Sequence, residues 1–332
     1  MCLAAVTSLL ATFPAVSRAE NVTGAGSSFA APIYESWGAA AKTATGVTVN
    51  YQSVGSSAGQ NQILAGTVDF GASDAPMDAK KLEAGHLFQF PTVMGGIVPV
   101  VNIPGIKPDA ITLSGEVLAG IYEGDITTWD DAKIAALNPG VHLPDTAIAP
   151  VHRADGSGTT FVFTSYLADS SDSWKQNQGA STSINWPSGL GARGNDGVAA
   201  TVRNTEGAIG YVEFAYASRN HLTTVRLRNK AGTNVAAGLL SFSHAAEAAD
   251  WKSAQHFAIN LLNTPGKDAW PVVSATYVLV PVPARNPARD EAVRTFFSWD
   301  FANGDSAAEK LDYVPLPKSV KDDILAAWKS GK

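Results

Sequence analysis

Three glycine- and serine-rich clusters lead straight into stretches of helical character, and they restrict the fold open to this chain more than any other feature. They are residues 23–32 (TGAGSSFAAP), 50–60 (NYQSVGSSAGQ) and 153–160 (RADGSGTT). The second follows a β-rich run at 47–51 and the third an apolar run at 147–151, and helices are expected over 33–44, 60–64 and 159–167. Strand, small-residue turn and helix in alternation argue for an α/β architecture with largely parallel sheets. Two long apolar stretches, 90–101 (FPTVMGGIVPVV) and 270–282 (WPVVSATYVLVPV), read as central strands. No linker divides the 332 residues cleanly and no period of 20 to 50 residues repeats, so the expectation is two lobes joined by strands that cross between them. Near the C-terminus, 290–301 and 319–328 carry apolar residues at helical spacing and read as packing helices.

The opening stretch is apolar and closes on Ser17-Arg18-Ala19, a small-x-small cleavage site, so residues 1–19 read as a signal peptide, although no lysine or arginine follows Met1. The run is shorter than the roughly 20 residues a membrane helix needs. The only cysteine, Cys2, lies inside that segment and precedes the apolar run, so it is not read as a lipid-attachment site, and the mature chain is expected to hold no disulfide and no thiolate metal site. Loss of Arg18 makes the charge one unit more negative than the formal −6, which argues against nucleic acid as a partner.

Each cluster has an ordinary reading as a helix cap, Ser27 or Ser28 for the first. Together they offer backbone N–H groups and the positive ends of helix dipoles, which favour an anion. The third cluster adds the Arg153 guanidinium, and Asp155 two residues on is either a turn former or the partner that orients it. It lacks the Gly-Lys-Ser/Thr of a nucleotide-binding loop. Asp74, in DFGASDAP (69–76), narrows the ligand. A carboxylate beside an anion site repels the anion unless the anion brings a proton, so phosphate fits where fully ionised sulfate does not.

Two decoys accompany these features. Gly55–Gly59 matches Gly-x-Ser-x-Gly with Ser57 at the nucleophile position, which keeps a phosphatase or other hydrolase as the alternative. None of the six histidines, His86, His142, His152, His221, His244 and His256, sits in a recognisable catalytic motif. Residues 189–194 (GLGARG) spell Gly-x-Gly-x-x-Gly, but Trp186 and Pro187 precede them and no helix is evident after them, so they read as a flexible loop that carries Arg193 and Asn195 near a cleft rim.

Taken in order, the strings TGAGSSFAAPIY (23–34), NYQSVGSSAG (50–59), VDFGASDAPM (68–77), LFQFPTVMGGIVPVVNIPG (87–105), RADGSGTTFVFTSYL (153–167), GARGNDGVAA (191–200), GAIGYVEFAYA (207–217) and DAWPVVSATYVLV (268–280) closely resemble the substrate-binding proteins of the bacterial ABC-type phosphate importer. The resemblance implies an α/β, two-lobed periplasmic-binding-protein fold of type II with two crossing hinge strands. The first lobe would be discontinuous, over 20–100 plus 272–332, and the second would span 101–271. It implies a periplasmic receptor, monomeric and not an enzyme, that needs no cofactor or metal and delivers inorganic phosphate to a membrane permease and its ATPase. The phosphate contacts it implies are Ser28, Phe29 through its backbone, Ser56, Asp74, Arg153, Ser157, Gly158 and Thr159, with Asp155 in support; His152 has no clear part.

Overall fold

The computed structural model describes residues 21–330; the expected signal peptide, with Cys2, lies outside them. β1 (Asn21–Gly26) leads to α1 (Ala31–Thr45), β2 (Thr48–Ser53) to α2 (Ser56–Ala65), and β3 (Phe70–Ser73) through a turn to α3 (Ala79–Gly85). β1 pairs in parallel with both β2 and β3, so all three strands end on the same edge. Gly26 is required there. Its φ is +142°, and a Cβ would stand 1.9 Å from the carbonyl oxygen of Ala72 on β3.

β4 (Leu87–Val101) follows, with all fifteen residues buried, as the unbroken apolar run demands. Next come β5 (Thr112–Leu113), α4 (Gly115–Glu123), α5 (Ala132–Leu137), β6 (Ala149–Arg153), α6 (Gly158–Ser170), α7 (Asp172–Asn177), β7 (Leu190–Ala192), α8 (Gly194–Asn204), β8 (Ala208–Glu213), α9 (Phe214–Arg219), β9 (Thr223–Thr224), β10 (Arg226–Arg228), β11 (Asn234–Val235) and α10 (Leu239–Glu247). The chain closes with β12 (Val273–Pro281), α11 (Pro287–Asn303), α12 (Asp305–Lys310), β13 (Val314–Pro315) and α13 (Lys318–Ser330).

Ten strands form one sheet, along the path β2-β1-β3-β12-β4-β8-β6-β7, with β9 and β13 also paired to β4. The first part of β4, Leu87 to Gly96, runs antiparallel to β12, and its last five residues run antiparallel to β8. β4 therefore belongs to both halves of the sheet. The chain leaves the first half along it and returns along β12, which makes the first half from two separate stretches of sequence.

The long strands and helices fall where the apolar periodicity places them, with ends shifted by a few residues. α2 is the largest shift, since it starts at Ser56 rather than residue 60. Its first turn, Ser-Ser-Ala-Gly, has little helix preference and no apolar period, so only the later residues announce it. The residues at 189–194 depart further from expectation. They hold the strand β7 and the start of α8, so the Gly-x-Gly-x-x-Gly string is not a flexible loop.

An aromatic cluster between α1, the sheet, α11 and α13 holds the first half together. The ring of Phe297 lies 5.2 Å from Phe70, 5.5 Å from Phe90 and 5.9 Å from Tyr34, and Trp328 lies 4.8 Å from Phe90. Truncating a fully buried aromatic removes transfer energy and leaves a cavity. Phe297→Ala is expected to lower the free energy of unfolding by about 3–5 kcal/mol, read as a fall in the urea midpoint at unchanged slope.

Candidate functional site

The parallel strands β1, β2, β3, β6 and β7 all deliver their carboxyl ends to one crevice, where open α/β sheets carry their ligands. The expected residues Ser28, Ser56 and Asp74 follow β1, β2 and β3, while Arg153 closes β6 and Ser157, Gly158 and Thr159 open α6. All seven come together, and every side chain among them is almost fully buried.

Three of them share a hydrogen-bonding state that the sequence does not reveal. Ser28 Oγ accepts from the Asn195 N–H (3.2 Å) and from Asn195 Nδ2 (2.9 Å). Ser56 Oγ accepts from the Asp74 N–H (3.3 Å), and Ser157 Oγ caps α6 by accepting from the Thr160 N–H (3.0 Å). None of the three hydroxyl protons has an acceptor among the described residues. A buried donor left unpaired is costly, so a cluster of them calls for an acceptor-rich partner. Phe29 is a partial exception to expectation: its N–H already donates to Ser27 Oγ at 3.0 Å, and its ring packs against Tyr313 in the core.

One cation and two carboxylates set the charge. Arg153 grips Asp155 in a two-pronged pair, Nε to Oδ1 at 2.7 Å and Nη2 to Oδ2 at 2.5 Å, and Asp155 Oδ1 also accepts from the Gly194 N–H at 3.0 Å. Burial opposes the charge on Asp155, but the guanidinium outweighs it and holds the carboxyl below its usual range. Asp155 thus orients Arg153, whose remaining Nη1 edge points at Thr159 Oγ1 (3.4 Å). At Asp74 burial wins and pushes the carboxyl up, against hydrogen bonds from Ser27 and Thr276, the charge of Arg153 and a long contact from Thr159.

Several participants were not anticipated. Ser27 was expected, if anything, to cap α1. The helix has no side-chain cap, and Ser27 donates instead to Asp74 Oδ1 at 2.5 Å. Thr276, on β12, donates to the same oxygen at 2.7 Å. Asn195 is fully buried on the first turn of α8 rather than at a rim, so a fourth helix start faces the crevice. The signal for it, the string GARGN, was present but hidden by glycines that mask both strand and helix.

The two halves of the sheet touch directly over the crevice. Besides the bonds from Asn195 to Ser28, the Tyr216 hydroxyl donates to Ser28 O at 2.7 Å and the Ser57 N–H donates to Gly156 O at 3.0 Å. A Cβ on Gly158 would stand 2.6 Å from Ser56 Oγ and 2.7 Å from both Asp74 N and Cβ, so only glycine allows this approach. Ser57 Oγ, the candidate nucleophile, bonds to Thr182 Oγ1 at 3.1 Å and not to a histidine, which removes the basis for a hydrolase. His152 is turned away, its ring stacked on Trp186 with burial holding it below its ordinary range, and it has no part in the crevice. Among the described residues no three His, Cys, Asp or Glu side chains are grouped to hold a metal.

A further buried carboxyl, Glu213 at the end of β8, ties the halves together. Tyr313 Oη lies 2.6 Å from Phe29 O and 2.9 Å from Glu213 Oε2, which also accepts from the Ala215 N–H at 2.9 Å. A phenol carries one proton and the carbonyl can only accept, so a protonated Glu213 satisfies both contacts. Burial pushes this carboxyl well up, beyond what its hydrogen bonds offset.

Known proteins resemble this chain in sequence and in fold. The sequence pattern of the PBP superfamily domain matches residues 12–303. The phosphate-binding protein PstS of Pasteurella multocida is 49% identical over 322 residues, which is 97% of this chain and 94% of that protein. The phosphate-binding protein PstS of Haemophilus influenzae is 46% identical over 321 residues, 97% of this chain and 96% of that one. The crystal structure of a phosphate-binding protein from Stenotrophomonas maltophilia superposes with a TM-score of 0.70 at 19% identity, over 93% of this chain and 94% of that one, a likeness of fold.

Because the folded-state value of Glu213 is raised, its contribution to stability is fully present below the ordinary glutamate range and is lost as pH rises toward the raised value. Both contacts fall on Oε2, so Glu213→Gln keeps only one of them, a donor toward Tyr313 or an acceptor for the Ala215 N–H, and it does not titrate. The melting temperature of the variant is therefore expected to gain on that of the wild type between pH 5 and pH 9. A difference that stays constant across that range would show Glu213 ionised in the folded protein.

Proposed function

The chain belongs to the PBP superfamily and, within it, to the phosphate-binding proteins of the PstS type, and from that premise we propose that it is a transport receptor that holds one inorganic phosphate in the crevice. The observation that carries this reading is the surplus of buried donors. The protons of Ser28, Ser56 and Ser157 meet no acceptor among the described residues, the remaining edge of Arg153 has only a long 3.4 Å contact to Thr159 Oγ1, and a tetrahedral oxyanion supplies four acceptors. Gly158 and Thr159 add the N-terminus of α6, and the Phe29 N–H would turn from Ser27 to the ligand. Asp74 then selects within the oxyanions, because it offers an acceptor to a ligand that still carries a proton.

In this reading residues 20–100 with 272–332 form one lobe and residues 101–271 the other, and β4 and β12 act as the hinge. Phosphate bridges the lobes, so contacts from Arg153 and α6 are gained only on closure and binding shifts the open-to-closed equilibrium. The closed receptor, a periplasmic monomer released from its signal peptide near Ala19, docks on an ABC-type permease and its ATPase.

Titration calorimetry of ligand-stripped protein against an oxyanion panel tests the ligand. One phosphate per chain is expected, with arsenate competing and millimolar sulfate not; displacement of phosphate by sulfate would refute the role of Asp74. Truncating a donor to a charged ligand costs about 1.5–3 kcal/mol, so Ser56→Ala is expected to weaken binding by about tenfold or more. Gly158→Ala places its methyl group between the lobes and is expected to weaken phosphate binding strongly at a nearly unchanged melting temperature, which calorimetry and a thermal melt read side by side.

A further inference from the structure

The two oxygens of Asp74 live in different surroundings. Oδ1 receives two hydroxyl protons, from Ser27 at 2.5 Å and Thr276 at 2.7 Å, and all three side chains are almost fully buried. The direction of the Ser27 proton follows from its neighbours. Its Oγ already accepts the Phe29 N–H, and Asp74 Oδ1 is the acceptor within reach of its own hydrogen. Oδ2 has only the long 3.4 Å contact from Thr159 Oγ1, the same hydroxyl that Arg153 Nη1 approaches at 3.4 Å. Thr276 sits opposite Val93 of β4, on the strand that returns the chain to the first half, so its hydroxyl is held by the centre of the sheet and not by a loop.

We infer that Ser27, acting with Thr276, is a positioning residue for oxyanion selectivity: the two hydroxyls saturate Oδ1 of Asp74, so that Oδ2 alone meets the ligand, as acceptor for the ligand's own proton. This rests on the phosphate reading above and adds residues that lie outside the contacts expected from the sequence. With both hydroxyls in place, a proton on Oδ1 would meet two donors, so the two bonds support the ionised form against the burial that pushes the carboxyl up. Without them the carboxyl is free to rotate and to hold a proton, since burial already pushes it toward the neutral form. A neutral Asp74 is a donor, and a donor accepts sulfate as readily as phosphate. Ser27 thus acts on the ligand through Asp74, while its second contact, to the Phe29 N–H, is released when that donor turns to the ligand.

The test compares wild type with Ser27→Ala, Thr276→Val and Thr276→Ser by calorimetry against phosphate and, separately, sulfate, with a thermal melt of each variant. Ser27→Ala and Thr276→Val are expected to bind phosphate about tenfold or more weakly and to acquire measurable sulfate binding. Thr276→Ser, which keeps the hydroxyl, is expected to retain the wild-type preference. A merely structural role would lower phosphate affinity without admitting sulfate. The inference is therefore overturned if wild type binds phosphate while both truncated variants, melting near wild type, still reject sulfate. Failure of the wild type itself to bind phosphate would instead overturn the functional reading, and this inference with it.

Discussion

Protons buried without acceptors are the constraint on which this structure depends. Ser28, Ser56 and Ser157 each spend a lone pair on an N–H of the protein, which fixes the hydroxyl in place and leaves its hydrogen directed elsewhere. Arg153 is similarly committed, with two of its nitrogens bound to Asp155 and one edge left over. Such an arrangement is costly in the absence of an acceptor, and it is sustained by a well-packed frame: the aromatic cluster beneath α1 and the fully buried β4. The crevice is therefore built of fixed neutral donors more than of net positive charge.

That frame also holds two buried carboxyls. Burial pushes the carboxyls of both Asp74 and Glu213 up, yet their partners differ. Two hydroxyl donors and a nearby guanidinium support a charge on Asp74, whereas Glu213 has one oxygen with no partner and the other against a tyrosine whose proton is already committed. The same carboxyl chemistry thus meets several donors in one place and a single committed tyrosine between the halves in the other.

The sequence exposed the parts of this design that are local. Apolar runs announced β4 and β12, glycine and serine clusters marked the starts of α1, α2 and α6, and Arg153, Asp155 and Asp74 stood out because charge is rare beside such clusters. What remained hidden depends on partners distant in sequence. Ser27 looked like a cap because its partner Asp74 is 47 residues away, and Thr276, at 202 residues from Asp74, looked like one more β-branched strand residue. Asn195 was concealed by the glycines around it, and Glu213 by an otherwise ordinary strand, GYVE, whose end gives no hint of burial. The lone Gly-x-Ser-x-Gly match was a local pattern without a distant partner of the right kind, and it dissolved for that reason.

The place of β12 in the chain has a consequence for how the protein comes into being. Within the first half, Ser73 of β3 is paired with Tyr277, and every residue of the second half is made between them. The second half can close on contacts near in sequence, while the first half waits for the last quarter of the chain, and contacts so far apart are slow to form. A nascent chain therefore stays incompletely folded until nearly all of it has emerged, a long window in which apolar strands such as β4 lack their partners.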